Sequence, residues 1–414
     1  MKQLHRRVVV TGLGILSPIG NTVEDAWLSC IEGKSGITTV DIGLENNPVT
    51  IGGRLKNFDS SDFLDSKEVR RIDPFIQYGI IAANQSIENS GILESNLDLT
   101  KVGVNFGAGI GGIDTIEKNK TLLEGRGYKK VSPFFVPGSI VNMISGLVSI
   151  KHGFMGPNTS VVTACSTGNH CIGTAARSIS CGEADVMVAG GAEMASTPLS
   201  IAGFISARAL STNTDPQAAS RPWDRDRDGF VLSDGAGSLV LEEYDHAKSR
   251  GAIIHAEIIG FGTSSDAYHM TAPPEDGRGA ALAMTNAIDD AEISISEVDY
   301  INAHGTSTPL GDIAETIALK SVFGNSVPQI SSTKSMTGHT LGAAGAIESI
   351  FCIKAIKEGI IPPTINLDNP DPLCDLNYTP LVSNEKKVSV AMNNSFGFGA
   401  VSYTHLTLPT KRIV

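Results

Sequence analysis

The chain has 414 residues and a formal net charge of −12 at pH 7, with 41% hydrophobic and 18% charged residues. This balance is typical of a globular interior and excludes a disordered or collagen-like chain. The acidic charge argues against nucleic acid as the main partner, and no apolar run approaches the length of a membrane span.

Strand-like and helix-like segments alternate along the chain. The strand-like runs are RVVVTGL, KVGVNFGAG, SVVTAC, ADVMVAGG, GSLVLEEY, DYINAHG and QISSTK, and helices are predicted over 76–89, 172–180, 279–291 and 345–358. This alternation predicts an α/β fold with mostly buried strands. The first strand follows two arginines without an apolar leader, and the six cysteines form no CxxC pair. We therefore expect a protein of a reducing compartment.

Two segments of the chain resemble each other. TACSTGNHCIGTAA begins at Thr163 and TKSMTGHTLGAAGA begins at Thr333. Each pattern predicts the end of a strand, a short turn of Ser, Thr and Gly, and a helix of small residues. A duplicated fold would place the starts of both helices at one shared site. The alternative is chance similarity between turns rich in Gly and Ala.

A candidate nucleophile lies in the first of these segments. Cys165 sits where a strand ends and a helix begins, so it is either an inert buried thiol or a thiolate favoured by the helix dipole. His304, Lys334 and His339 occupy similar positions, where catalytic groups gather in α/β sheets. Each histidine alone could be structural.

The residue types of this set favour covalent thioester chemistry. A thiol can hold an acyl group, neutral imidazoles can stabilise an enolate, and backbone amides can bind an acyl oxyanion. The sequence contains no HExxH motif, no paired ligand spacing and no GxSxG elbow. A metal site and serine-hydrolase chemistry are therefore not predicted.

Many long motifs from about Arg7 to Gly399 resemble the β-ketoacyl-[acyl-carrier-protein] synthases, and within them the type II elongating enzymes. They are VVVTGLGILSPIGNTVEDAW, FGAGIGG, SPFFVPGSIVNM, GPNTSVVTACSTG, ADVMVAGGAEMASTPL, ASRPWDRDRDGFVLSDGAG, SSDAYHMTAPPEDG, NAHGTSTPLGD, SSTKSMTGHTLGAAGAIES, PPTINLDNPD and NNSFGFG. The resemblance implies the thiolase-like αβαβα five-layered fold built from two duplicated halves. These would be residues 1–253, with the nucleophile, and 254–414, with the histidines and the lysine.

The activity implied by the resemblance is a decarboxylative Claisen condensation. An acyl chain from acyl carrier protein would be extended with malonyl-[acyl-carrier-protein] to give 3-oxoacyl-[acyl-carrier-protein], CO₂ and free carrier. We expect a cytoplasmic homodimer with no membrane or nucleic-acid partner. We expect no metal and no resident cofactor, because phosphopantetheine arrives on the carrier protein.

The resemblance also implies a role for individual residues. Cys165 would be acylated, His304 and His339 would assist decarboxylation and hold the enolate, and Lys334 would support them with Glu348 as its partner. The amides of Cys165 and Phe398 would form the oxyanion hole. The other assignments are Phe398 as gate, Thr306 and Thr308 on pantetheine, Ile110 in the acyl pocket, and Lys67, Arg70, Lys129, Lys130 and Arg208 as the carrier-protein patch.

Several related proteins are the alternatives. A type I elongating synthase or a polyketide ketosynthase would share the Cys-His-His set, although FVPGSIVNM and SSDAYHMTAPPEDG favour type II. A thiolase would carry a second catalytic cysteine where this chain has TGHT. A non-catalytic chain-length partner of a ketosynthase would lack the nucleophile, which is present here as Cys165.

The match to the family ends abruptly at residue 400. The family usually continues with a second glycine, Thr-Asn and an apolar strand, whereas this chain continues AVSYTHLTLPTKRIV. We expect residues 400–414 to be a sequencing or frame-shift artefact, with a genuine divergent C-terminus as the alternative. Ala400 would strain a turn that needs a positive φ. VSYTHLTL could still pair as a strand, which Pro409 should end.

Overall fold

The computed structural model describes residues 6–399 and 401–408. Its strands are β1 (Val8–Leu16), β2 (Thr38–Thr39), β3 (Ile51–Gly52), β4 (Val102–Gly107), β5 (Asn158–Thr159), β6 (Val186–Glu193), β7 (Gly235–Glu243), β8 (Ala256–Ser265), β9 (Tyr300–Asn302), β10 (Gln329–Ser331), β11 (Ile360–Ile361), β12 (Asn384–Glu385), β13 (Ala391–Gly397) and β14 (Val401–Leu408). Its helices are α1 (Val23–Ile31), α2 (Ser66–Val69), α3 (Pro74–Ser90), α4 (Ile113–Arg126), α5 (Met143–His152), α6 (Thr167–Ser180), α7 (Pro198–Ser206), α8 (Tyr244–Ser249), α9 (Arg278–Asp290), α10 (Pro309–Phe323), α11 (Lys334–Thr337) and α12 (Ala344–Glu358).

Ten strands are joined in the order β10-β9-β13-β14-β8-β1-β7-β6-β4-β5. The order is the same in both halves when each half is followed from its edge to the centre. In each half the two strand pairs nearest the edge are parallel. The strand that comes last in the chain, β7 in the first half and β14 in the second, is antiparallel to both of its neighbours. The halves meet where β1 pairs antiparallel with β8. This repetition confirms the predicted duplication.

Helices form three layers around the two sets of strands. Helices α6 and α12 pack against each other and against strands of both halves, while α3 and α5 cover one outer face and α9 and α10 cover the other. The architecture is therefore the predicted five-layered αβαβα arrangement. None of the helices in the described part of the chain combines the length and apolar character needed to cross a membrane.

Small residues allow the two central helices to approach closely. A side chain added at Gly168 would place its first carbon 2.7 Å from the backbone nitrogen of Ala346. At the outer face, α3 begins with Asp73 as N-cap and Pro74 in its first turn, and it ends at Gly91 in the left-handed conformation. An Asp that caps the first turn, a Pro within that turn and a left-handed Gly after the last turn are the residues expected at helix ends.

The predicted helices over 76–89, 172–180 and 345–358 lie within helices of the structure, and the one predicted over 279–291 extends one residue beyond α9, which ends at Asp290. The strand predicted for SVVTAC is wrong, because only Asn158 and Thr159 pair as a strand before it. Hydroxyl groups replace the ladder beyond that point: Ser160 Oγ donates to the carbonyl of Phe106 at 2.6 Å. The chain can then leave the sheet and turn toward α6.

The repeated segments do not align over their whole length. Helix α6 begins four residues after Thr163, whereas the short helix α11 intervenes between Thr333 and the start of α12. A matching turn nevertheless precedes each central helix. It is a 3₁₀ turn in both cases, at Ala164–Ser166 and at Leu341–Ala343.

The expectation that the C-terminal segment is an artefact is not borne out. Residues Val401–Leu408 form β14, a mostly buried strand that pairs with β13 on one side and β8 on the other. The strand occupies the position that β7 holds in the first half. Ala400 and residues 409–414 lie outside the described residues, and so do the predicted strain at Ala400 and the role of Pro409.

Candidate active site

Cys165 lies in the 3₁₀ turn immediately before α6, as its sequence position predicted. The preceding residue, Ala164, has φ +50°, a conformation that costs about 1–2 kcal/mol for a residue with a side chain. Thr167 holds this turn, because its hydroxyl donates to the carbonyl of Ala164 at 2.8 Å and accepts from the amide of Thr163 at 2.9 Å. The turn presents the thiol, which is 9% exposed, at the N-terminus of a helix.

His304 follows β9 in a loop that one buried carboxylate organises. Glu315, on α10, accepts hydrogen bonds from the amides of His304 at 2.9 Å and Gly305 at 2.8 Å. His339 lies in the loop before the second 3₁₀ turn, and its amide donates to the carbonyl of Val231 at 2.8 Å. Backbone contacts therefore fix both histidine loops.

The structure brings the thiol and both imidazoles together. His339 Nε2 lies 3.0 Å from Cys165 Sγ. The rings of His304 and His339 are nearly perpendicular, with centroids 5.4 Å apart. Neither Nδ1 has a hydrogen-bond partner among the described residues. Within the described part of the chain, no hydrogen bond at Nδ1 therefore fixes the tautomer of either ring.

Burial and one buried cation control the charges in this cluster. Burial raises the pKa of Cys165 to about 12, although the Lys334 charge and the amides of Phe398 and Cys165 itself act to lower it. Burial and the Lys334 charge also hold the pKa values of His304 and His339 well below their usual range. Both imidazoles are neutral at pH 7, as an enolate-binding pair requires, and the resting nucleophile is a thiol.

Lys334 and Glu348 form a fully buried ion pair, as predicted. Burial raises the pKa of Glu348 to about 7, and the Lys334 charge opposes this shift. Lys334 is absent from the cavity wall. Its ammonium therefore acts on the cluster through its field rather than by contact with a ligand.

The backbone amide of Phe398 lies near the nucleophile, because it is close enough to the thiol of Cys165 to lower its pKa by hydrogen bonding. The loop that holds it packs tightly: a side chain at Gly397 would begin 2.9 Å from the carbonyl of Thr163. Gly399 has φ +89°, and its amide donates to the carbonyl of Met270 at 2.8 Å. Both amides predicted for the oxyanion hole, those of Cys165 and Phe398, therefore lie close to the thiol.

A cavity of about 700 Å³ opens from this cluster. Its wall contains, among the predicted residues, Ile110, Thr306, Thr308, Phe398 and Arg208. The hydroxyls of Thr306 and Thr308 are 3.1 Å apart. Lys67, Arg70, Lys129 and Lys130 are exposed but do not line the cavity.

Sequence reasoning missed three residues of this site. Glu315 organises the His304 loop, Phe396 packs its ring 5.6 Å from that of His304, and Glu193 binds a set of amides near Ile110. A buried carboxylate that receives several backbone amides has no motif of its own. The presence of Glu193 at the end of an otherwise apolar strand was the only available signal.

The thiol and the two imidazoles of the catalytic cluster lie close enough together to bind a soft metal ion. One ligand atom each from Cys165, His304 and His339 lie within 4.8 Å of one another. No spacing in the sequence indicates this arrangement, because the three residues are far apart along the chain. The buried Lys334 ammonium, which acts on all three, opposes a second cation there.

Comparison with known proteins gives consistent matches over nearly the whole chain. Residues 5–247 match the family model "Beta-ketoacyl synthase, N-terminal domain", and residues 255–368 match "Beta-ketoacyl synthase, C-terminal domain". The 3-oxoacyl-[acyl-carrier-protein] synthase 2 of Vibrio harveyi is 53% identical over 402 residues, which cover 96% of this chain and 97% of that protein. The protein of the same name from Vibrio cholerae is 53% identical over 403 residues, with the same coverage.

A solved structure shows the same fold. It is a type II polyketide acyl-carrier protein in complex with its ketosynthase, which is bound to the hexaketide. The matched chain has a TM-score of 0.91 and 35% sequence identity, and the match covers 98% of this chain and 100% of that one.

Proposed function

Because the chain belongs to the β-ketoacyl synthase family, we propose that Cys165, His304 and His339 perform the condensation of a 3-oxoacyl-[acyl-carrier-protein] synthase 2. The chain is an acyltransferase of fatty acid elongation with a thiolase-like fold. The observation that carries the residue assignment is the 3.0 Å approach of His339 Nε2 to Cys165 Sγ, with a second neutral imidazole beside it. The identity of 53% to these relatives, against 35% to the polyketide ketosynthase, favours fatty acid over polyketide substrates.

The first step transfers an acyl chain to Cys165. The resting thiol needs a base because burial raises its pKa to about 12. His339 Nε2 accepts the proton as sulfur attacks the thioester carbon, and the amides of Cys165 and Phe398 stabilise the oxyanion. The bond from that carbon to the pantetheine sulfur then breaks, and the leaving sulfur takes the proton from His339.

The second step forms the carbon–carbon bond. The bond between the malonyl carboxylate and C2 breaks, CO₂ leaves, and the electron pair enters an enolate. N–H groups of His304 and His339 stabilise the enolate oxygen, His339 now in the tautomer that carries its single proton on Nε2 instead of Nδ1. C2 attacks the acyl carbon on Cys165, whose sulfur leaves as a thiolate and takes up a proton from solvent water. The product is a 3-oxoacyl chain two carbons longer.

The acyl groups arrive on acyl carrier protein. The relatives carry that protein in their names, and the solved ketosynthase is bound to one. Exposed basic side chains would attract such an acidic partner in spite of the net negative charge. Arg208 lies at the cavity wall. The other proposed members of this basic patch are Lys67, Arg70, Lys129 and Lys130, all exposed.

A charge reversal tests this docking surface. Arg208→Glu should raise KM for acyl-carrier protein at least tenfold and leave the rate with a short acyl-pantetheine thioester within twofold. Lys387→Glu, a reversal at an exposed lysine away from the cavity wall, should change neither. Equal KM values for the wild type and Arg208→Glu would contradict the patch.

We propose that the working unit is a homodimer. Large apolar side chains are exposed along one stretch of the first half, at Ile110, Ile116, Leu123, Tyr128, Phe134, Val136, Ile140 and Val162. The edge strand β5 pairs only with β4 within the chain. A second copy would cover such a surface. Sedimentation at micromolar concentration should give twice the chain mass, and a monomer would contradict this.

The remaining proposals concern boundaries, cofactors and location. We place the division between the halves at 253/254, in the connection between α8 and β8. The family models divide in the same region. No resident cofactor is proposed, because phosphopantetheine arrives with the carrier. All six cysteines lie in the described residues and are free thiols, which suits the reducing cytoplasm.

The reaction itself is tested with malonyl-carrier labelled in its free carboxylate and acyl-carriers of graded length. The wild type should release labelled CO₂ and form a product two carbons longer. Cys171→Ala, which removes another buried thiol on α6, should retain both activities. A wild type that releases no CO₂ and forms no longer product would overturn the proposed function.

A further inference from the structure

A buried carboxylate at the end of β6 receives an unusual number of backbone amides. Glu193 is fully buried. Its Oε2 accepts from the amides of Gly109 at 2.6 Å and Gly342 at 3.1 Å. Its Oε1 accepts from the amides of Gly111 at 3.0 Å and Ile110 at 3.1 Å.

These amides belong to two loops that face the active site from opposite halves of the fold. Gly109, Ile110 and Gly111 follow β4, whereas Gly342 lies in the 3₁₀ turn before α12. Glycine is needed for this approach: a side chain at Gly109 would begin 2.7 Å from Glu193 Oε2, and one at Gly342 would begin 2.3 Å from the amide nitrogen of Gly109. One carboxylate therefore ties both loops together.

The tied loops carry side chains that shape the cavity. Ile110 and Leu341 line the same cavity as Cys165. The side chain of Ile110 reaches this cavity, so its position there depends on where its backbone is held. The backbone amide of Ile110 donates to Glu193, and both neighbouring amides do the same. A shift of Ile110 that involves its backbone must break hydrogen bonds to a fully buried carboxyl group, and buried polar groups left without a partner are costly.

We propose that Glu193 is a specificity-determining positioning residue: by fixing the backbone of Ile110 against the turn of Gly342, it limits the length of the acyl chain that the cavity beside Cys165 accepts. This inference rests on the proposed function, since it takes the cavity to be the acyl pocket. Glu193 itself lies outside the cavity wall and acts through Ile110. The carboxylate holds the loop that a longer chain would have to displace.

The pKa of Cys165 shows independently that Glu193 lies near the nucleophile. The negative charge of Glu193 acts to raise the pKa of Cys165. Burial raises the pKa of Glu193 to about 7, and the four amides act to lower it. The carboxylate is thus close enough to influence the nucleophile, although no described hydrogen bond joins the two residues.

The test is a chain-length profile for Glu193→Gln. A glutamine keeps the size but offers one acceptor oxygen and places an N–H₂ against backbone donors, so the Ile110 loop loses at least one contact. The ratio of kcat/KM for a 14-carbon to that for a 6-carbon acyl-carrier should rise at least threefold. Glu193→Asp, which keeps the charge with a shorter reach, should give a smaller rise. A ratio within 1.5-fold of the wild type in both variants would overturn the inference.

A matched control is Asp234→Asn. Asp234 is also a buried carboxylate that accepts backbone amides, from Ala195 and Ser196, but none from the Ile110 loop. This variant should lose stability without a change in the ratio. The same shift in Asp234→Asn as in Glu193→Gln would mean a general loosening of the fold and would overturn the inference.

A double-mutant cycle identifies the route of the effect. If Glu193 acts through Ile110, then Glu193→Gln should not change the ratio further in an Ile110→Ala background. A full additional shift in that background would contradict the proposal. Acyl loading of Cys165, measured by mass spectrometry in the wild type and in every variant, distinguishes a failure of the proposed function from a failure of the role proposed for Glu193. A wild type that is not acylated refutes the proposed function, whereas normal acylation with an unchanged ratio refutes only the role of Glu193.

Discussion

Replacing His405 should stabilise the protein, and the gain should increase in acid. His405 lies in β14 and is fully buried, and neither ring nitrogen has a hydrogen-bond partner among the described residues. A buried polar group without a partner costs about 1–3 kcal/mol. His405→Leu removes both ring nitrogens and replaces the imidazole with an apolar side chain of similar size. At pH 7.5 its free energy of unfolding should therefore exceed that of the wild type by about 1–3 kcal/mol.

The pH dependence follows from the shifted pKa of this residue. Burial lowers the pKa of His405 to about 4, whereas an unfolded histidine titrates near 6.5. Between these values the unfolded chain binds a proton that the folded chain does not, so acid lowers the stability of the wild type. The leucine variant lacks this loss. At pH 5 the difference between the two proteins should be larger by about 2 kcal/mol than at pH 7.5.

The assay is urea unfolding of both proteins at pH 7.5 and pH 5, at one protein concentration. Other titrating groups are common to both proteins and cancel in the difference. Tyr403→Phe is the control, because it removes another unpartnered buried atom of the same strand, its hydroxyl, without a group that titrates in this range. Its gain should be equal at both pH values. A His405→Leu gain that is the same at both pH values, or a less stable variant at pH 7.5, would refute the reasoning.

Two further results are expected. Glu348→Gln leaves the Lys334 ammonium buried without its partner and should reduce the free energy of unfolding by about 3–5 kcal/mol; a loss below 1 kcal/mol in urea unfolding would contradict this. His304→Ala should still accept an acyl group on Cys165 but release CO₂ from malonyl-carrier about 10²–10³-fold more slowly, because one donor to the enolate is lost; an unchanged rate of CO₂ release would count against the paired-imidazole assignment.

The sequence identified most of the catalytic cluster because nucleophile and imidazoles lie within long motifs. Cys165, His304 and His339 meet as expected, since the ends of neighbouring strands converge in a duplicated α/β fold. The layer order followed from the resemblance to the family, whereas the long helices were predictable because their apolar periodicity and end signals are local properties of the chain.

Other features depend on contacts that no local pattern contains. Glu193 and Glu315 act by accepting amides from distant loops, so their roles appear only when those loops are folded. The segment SVVTAC has a strand composition, yet the hydroxyl of Ser160 takes the place of a ladder partner. The segment VSYTHLTL was expected to be able to pair as a strand, and it does so as β14, but its two partners, β13 and β8, are known only from the folded chain.

Mapping the acyl group after incubation with radiolabelled acyl-carrier protein tests the central claim most directly. The claim is that Cys165, held beside two neutral imidazoles, accepts the chain that is then elongated. The label should be found on the peptide that contains Cys165, should be absent from Cys165→Ala, and should disappear when malonyl-carrier is added. A label on any other residue, or chain elongation by Cys165→Ala, would contradict the account.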